Sequence, residues 1–314
     1  MLRLRPFAAL FCLLPCALAQ QAPSESVQVA EPNPIPDALA ERIVQEGIEN
    51  SQVQRILRDL TGKVGHRLTG SDNFTKACEW ARDEFTAMGL ANVHLEPWGE
   101  WKLVWNRGAW VGRIVEPIEL DMYVATDAWT AGTKGLVRAE IVKSPSRSEL
   151  LEGERPDGDG ERPEGEGEVE RAAPNPPAVG GKWVLLTRRA NAAMKRRLVE
   201  LGVLGLVYRA GDPDDDYPTR VRVFGDSRTA QLPIDEVPTL PEIAVRADHF
   251  DQLRELVEGE QKVVCEFDVQ NEFRAGPIVL NNVIAEIPGT EFPDEVVIIS
   301  AHLDSWHQAQ GCTD

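Results

Sequence analysis

The residues best suited to chemistry lie together in Ser300-Ala-His-Leu-Asp-Ser-Trp-His-Gln-Ala-Gln-Gly-Cys-Thr-Asp314. His302 can offer a neutral imidazole nitrogen to a metal such as zinc. Asp304, two residues on, can orient that ring by accepting its other N–H. Asp314 is a second oxygen donor, twelve residues beyond His302. Zinc requires at least three protein ligands, so one His and one Asp do not close a site. Spacing alone therefore leaves two readings open: part of a metal centre, or a core histidine with a capping aspartate. His307 and Cys312 lie between the two donors. Both are capable of binding metal, but the expectation is that they are loop residues with no metal role.

The segment that must carry these groups is apolar. Val296 to Ile299 (VVII) predicts a strand buried on both faces, with His302 just past its carboxyl end, where α/β sheets place their sites. Asn282 to Ile287 (NVIAEI) alternates as a half-buried strand. Pro288-Gly289 makes a turn, and the two strands are expected to be neighbours in one sheet.

Upstream, two apolar stripes predict helices: Ala38, Leu39, Ile43 and Ile48, then Val53, Ile56, Leu57 and Leu60, jointed at Asn50-Ser51. Thr61 to Ser71 holds three glycines and reads as a loop. Phe74, Cys78, Ala81, Phe85 and Met88 recur at helical spacing up to Gly89. This puts Cys78 on the apolar face, in a core. Trp98, Trp101, Trp105 and Trp110 are expected in core and sheet packing.

Between these parts lies a strand–helix–strand pattern. Trp183 to Leu186, Val203 to Tyr208 and Ile243 to Val245 read as strands. Ala190 to Leu201 and Ala247 to Val257 read as helices, and Asp212 to Asp216 as an acidic turn. The order predicts a small α/β module with its own core. Ser144 to Ala178 breaks the pattern. Ten acids against Arg155 and Arg162 give Glu149 to Glu170 a net charge of −8. It is expected to be a solvated, disordered insertion. Asp157-Gly-Asp159-Gly lacks the acid spacing of a calcium loop.

The 314 residues carry a formal charge of −18, from 33 Lys and Arg against 51 Asp and Glu. A phosphate-tracking surface needs clustered basic residues, so nucleic acid is excluded as a general partner. Arg3 and Arg5, the apolar Phe7 to Leu18 and the small residues of Ala17-Leu18-Ala19 form a secretory signal over residues 1–19. Its loss would make the charge −20 and remove Cys12 and Cys16. Residues 20–36 read as a mobile leader. A secreted or periplasmic location is expected, with no membrane span once the signal is gone. Cys78, Cys265 and Cys312 are too few and too scattered for a disulfide scaffold.

The stretch NNVIAEIPGTEFPDEVVIISAHLDSW resembles the start of the catalytic core in metallopeptidase family 28, the dizinc exopeptidases. Arg67-Leu-Thr-Gly-Ser71, with the helix after it, looks like that family's N-terminal segment. GKWVLLTRR, LGVLGLVYRAG and LPEIAVRADHFDQL resemble a protease-associated domain, a common insertion there. The resemblance implies an α/β fold, a zinc-exopeptidase-type mixed sheet flanked by helices. It implies an N-terminal peptidase part over 20–125, the inserted α/β domain over 126–272 and the start of the catalytic core over 273–314. It also implies two zinc ions and a peptide substrate, hydrolysed by aminopeptidase or carboxypeptidase action. His302 matches the first ligand, Asp304 the supporting carboxylate and Asp314 the bridging ligand. The family's general base and remaining ligands follow downstream and match no residue here, so the 314-residue chain by itself is expected to be inactive. The rival expectation is a non-catalytic binding or scaffolding protein built on a degenerate peptidase core.

Overall fold

The computed structural model describes residues 37–151, 177–210, 223–259 and 261–307. The expected signal peptide at 1–19 and leader at 20–36, most of the acidic stretch, the expected acidic turn Asp212–Asp216, Cys312 and Asp314 lie outside the described residues. No helix among the described residues is long and apolar enough to cross a membrane.

Two compact units divide near residue 52. Within the first, α1 spans Asp37–Glu49, as its apolar spacing predicts, and residues 50–52 are irregular. The second unit holds everything else. It opens with α2 (Val53–Arg58), which widens into a π-helical turn at Asp59–Val64 and so extends past Leu60 into residues 61–64, where a loop was expected. The loop proper is shorter, residues 65–71. Then α3 runs Asp72–Ala87, started by Ser71, whose Oγ accepts from Phe74 N at 3.2 Å. It buries Phe74, Ala77, Cys78 and Ala81, and Gly89 leaves it with φ +80°.

The sheet is mixed and has eight strands in the order β2-β1-β8-β4-β5-β6-β7-β3. Two long strands dominate it. β1 (Ala91–Glu116) and β8 (Val264–Glu286) pair antiparallel nearly end to end, with register shifts that mark bulges. β2 (Leu120–Met122) pairs with the far end of β1, and β4 (Val137–Lys143) with the start of β8. Beyond β4 the sheet turns parallel through β5 (Trp183–Leu186), β6 (Gly205–Arg209) and β7 (Glu242–Val245). The short β3 (Val124–Ala125) closes it, antiparallel to β7. Helix α5 (Ala192–Glu200) connects β5 to the parallel β6, and α6 (Ala247–Glu258) leads from β7 back to β8. Trp183, Ile243, Phe250, Leu253 and Phe267 meet in one core cluster, and Leu198, Leu206 and Tyr208 in another. The α/β class, the mixed sheet and the flanking helices agree with the pattern of the sequence.

Two local expectations fail. The acidic stretch begins with ordered chain: Arg147–Leu151 form a short helix, α4. Ser146 and Glu149 cap it reciprocally, Ser146 N donating to Glu149 Oε2 (2.6 Å) and Glu149 N to Ser146 Oγ (3.3 Å). Leu150 anchors it, buried in the second cluster. The other failure is the VVII run. It is not a strand and does not neighbour NVIAEI; Val296 to Ile299 are 79–96% exposed. The cause is pairing. The 282–286 stretch takes β1 as its partner (Ala91↔Glu286, Glu96↔Asn282), and no ladder among the described residues includes 296–299. A β-branched run forms a strand only when another edge satisfies its backbone.

Candidate active site

The candidate segment is held by the 65–69 loop rather than by a strand of the sheet. Arg67 is buried and grips it at three points. Its backbone N donates to Ser305 Oγ (3.1 Å), its carbonyl accepts from Ser305 N (3.0 Å), and its Nε donates to the Leu303 carbonyl (2.7 Å). Nη1 of the same guanidinium returns to the Gly65 carbonyl (2.9 Å), so the loop is braced internally. Gly70 turns the chain at φ +78°, and Trp101 packs so closely that a Cβ there would lie 2.3 Å from its ring. Trp105 N donates to the Gly70 carbonyl (3.3 Å), which ties the loop to β1.

On this support His302 and Asp304 come together. His302 Nδ1 lies 2.9 Å from the Asp304 carbonyl and 3.0 Å from its Oδ1. A carbonyl and a carboxylate can only accept, so Nδ1 carries the proton and the lone pair resides on Nε2. That is the tautomer a metal-binding imidazole needs. The second Asp304 oxygen, Oδ2, accepts from Thr69 Oγ1 (2.8 Å). Both side chains of the pair are roughly half exposed. The residues thus fit a zinc ligand in donor chemistry. Among the described residues no group of three His, Cys, Asp or Glu could hold a metal. Asp314, the expected partner, lies outside them.

His307 lies in a turn, as expected of a loop residue, but is buried. It is 3% exposed, edge-on to His66 and Trp105 with ring centroids at 4.7 and 4.9 Å. Neither of its ring nitrogens is hydrogen-bonded among the described residues. Burial, with help from the positive fields of His66 and Arg107, pushes its pKa down to about 3. Burial first, then the positive fields of Arg107 and Arg67, lowers His66. Next to it, Trp306 stays partly exposed and meets Trp129 at 6.2 Å and Phe224 at 6.5 Å. Trp105 is wholly buried as expected, whereas Trp98 is about half exposed.

Phe224 and Trp129 also line a cleft of about 880 Å³ with Tyr208, Arg189, Lys195 and Asp127. Its walls are fixed by charge. Asp127 takes Arg189 and the Phe224 N–H (3.2 Å), and Arg189 lies over the Tyr208 ring at 4.3 Å. Burial and the Asp127 charge raise the Tyr208 phenol above its usual range.

The structure places His302 beside Asp304, and sequence reasoning missed the residues around them: Arg67, Thr69, Ser305 and the His66–His307 contact. All five residues lie within or beside two short motifs already noted, RLTGS and HLDSW, but nothing in either motif says that they touch.

Residues 282–314 match peptidase family M28. Carboxypeptidase Q of Mus musculus is 26% identical over 289 residues, covering 91% of this chain and 56% of that protein. Carboxypeptidase Q of Bos taurus is 25% identical over 258 residues, covering 81% and 49%. The crystal structure of a peptidase M28 precursor from Shewanella amazonensis shares the fold, with a TM-score of 0.50 at 23% identity over 87% of this chain and 59% of that one. The chain spans about half the length of the curated relatives it matches. The chain is thus similar, at 25–26% identity, to carboxypeptidase Q, and its mixed sheet with flanking helices matches the fold of an M28 peptidase.

Proposed function

We propose that this polypeptide contributes to a secreted or periplasmic zinc exopeptidase that cleaves peptides by aminopeptidase or carboxypeptidase action. The observation that carries the reading is the His302–Asp304 pair, held in the metal-binding tautomer on the RLTGS loop. His302 and Asp314 would be the ligands supplied here, Asp314 as the family's bridging carboxylate. Asp304 keeps the proton on Nδ1 of His302, so that Nε2 remains a donor of electrons. What zinc supplies when bound is a water of near-neutral pKa and a polarised peptide carbonyl. Residues 126–272 are read as an inserted protease-associated domain; the parallel strands β4 to β7 with α5 and α6 support this.

Two ligands are fewer than a zinc site needs. The 314-residue chain is accordingly expected to hydrolyse no dipeptide or aminoacyl substrate, and a version extended to the length of the curated relatives to do so with bound zinc. In the extended protein His302→Ala and Asp314→Ala should abolish turnover and lower the zinc content, and Asp304→Asn should weaken both less. Hydrolysis assays with metal analysis on both lengths decide the matter. Full turnover by extended His302→Ala would refute the metal assignment, and chelator-sensitive turnover by the short chain would refute the ligand count.

A further inference from the structure

We infer that Thr69 is a positioning residue for the His302–Asp304 pair, acting through the Asp304 carboxylate; this rests on the reading of His302 as a metal ligand. The two oxygens of Asp304 have separate duties. Oδ1 faces His302 Nδ1 at 3.0 Å, and Oδ2 accepts from Thr69 Oγ1 at 2.8 Å. A carboxylate only accepts, so the Thr69 hydroxyl must donate. A half-exposed aspartate held on one side alone is free to rotate and to trade His302 for water. A donor on the second oxygen removes that freedom and keeps Oδ1 turned to the His302 Nδ1–H.

Thr69 is well placed for this. Its branched side chain has few rotamers, so the hydroxyl is aimed before Asp304 arrives. Its backbone sits between two anchors, the Arg67–Ser305 bonds on one side and the Gly70–Trp105 bond on the other. Asp304 in turn sits between Leu303 and Ser305, both held by Arg67. The two ends of the Thr69–Asp304 bond therefore cannot drift independently. The Thr69 hydroxyl reaches across 235 positions of sequence to a side chain, rather than satisfying a neighbouring backbone group.

The test uses the extended protein with Thr69→Val, which keeps the shape without the hydroxyl, and Thr69→Ser, which keeps the hydroxyl. One readout is the zinc dissociation constant from chelator competition. The other is the exchange rate of the His302 Nδ1 proton in metal-free protein, by nitrogen-15 NMR of labelled histidine. Thr69→Val should weaken zinc about tenfold and speed proton exchange by a similar factor, while Thr69→Ser stays within about twofold of the parent. Added to Asp304→Asn, Thr69→Val should cause no further loss. Thr69→Ala carries the same expectations if Thr69→Val does not fold. Parental zinc affinity and exchange in the hydroxyl-free variants, or equal losses with and without Asp304, would overturn the inference. If His302→Ala binds zinc as the parent does, the metal reading fails, and the proton exchange still decides whether Thr69 positions the pair.

Discussion

His307 lies edge-on to His66 with the ring centroids 4.7 Å apart, a buried neutral imidazole against a second imidazole. Its pKa of about 3 in the fold is far below the ordinary 6.5. Between those values the unfolded chain binds a proton that the folded chain refuses, so stability is complete above about pH 6.5 and falls as the pH drops towards 3. At about 1.4 kcal/mol per unit, roughly 2 kcal/mol is lost by pH 5. Urea unfolding at pH 7.5 and pH 5 should show this, and His307→Phe should reduce the difference. The same acid sensitivity in both proteins would rule His307 out as its source.

Gly70 should resist substitution. Its φ of +78° costs an L-residue about 1–2 kcal/mol, and Trp101 would have to move as well. Gly70→Ala is expected to lose at least about 2 kcal/mol in denaturant unfolding. A control is Gly62→Ala, where nothing lies within 4 Å of the added carbon. Equal stability of the two variants would show that Trp101 and the backbone yield easily.

Cys78 and Cys265 should be inert in the folded state. Both are buried, and burial pushes their thiols up to about 11 and about 12. The thiolate is the reactive form, and it is scarce at pH 8. In protein without residues 1–19 and carrying Cys312→Ser, a thiol reagent should find no reactive group until denaturant is added. Rapid labelling of native protein would contradict the burial of one of them.

The exposed Val296–Ile299 run should promote self-association of the 314-residue chain. Four exposed β-branched residues with no ladder partner among the described residues offer a free edge. Val297→Lys with Ile299→Lys should suppress concentration-dependent light scattering and leave the unfolding midpoint within about a degree, since neither side chain is packed. Scattering that persists unchanged would place the sticky surface elsewhere.

Local periodicity in the sequence was enough for much of the architecture. The spacing of Phe74, Cys78 and Ala81 carries α3, and the short apolar runs at 183–186 and 243–245 carry β5 and β7. These signals are local because a helix stripe or a buried strand is written in neighbouring residues. The pairing of His302 with Asp304 was legible for the same reason, being two positions apart. What tertiary structure decided were the partners. VVII has the composition of a buried strand, yet NVIAEI pairs with β1, and no periodicity within either run encodes that choice. Leu150 looked stranded among acids and is buried because Arg147–Leu151 folds against the core around Leu198. Thr69 and Arg67 became supports of the site only when the chain returned more than two hundred residues later. Contacts at that separation depend on loop closure and on the competition among all available edges and faces, which are properties of the whole chain and not of any window within it.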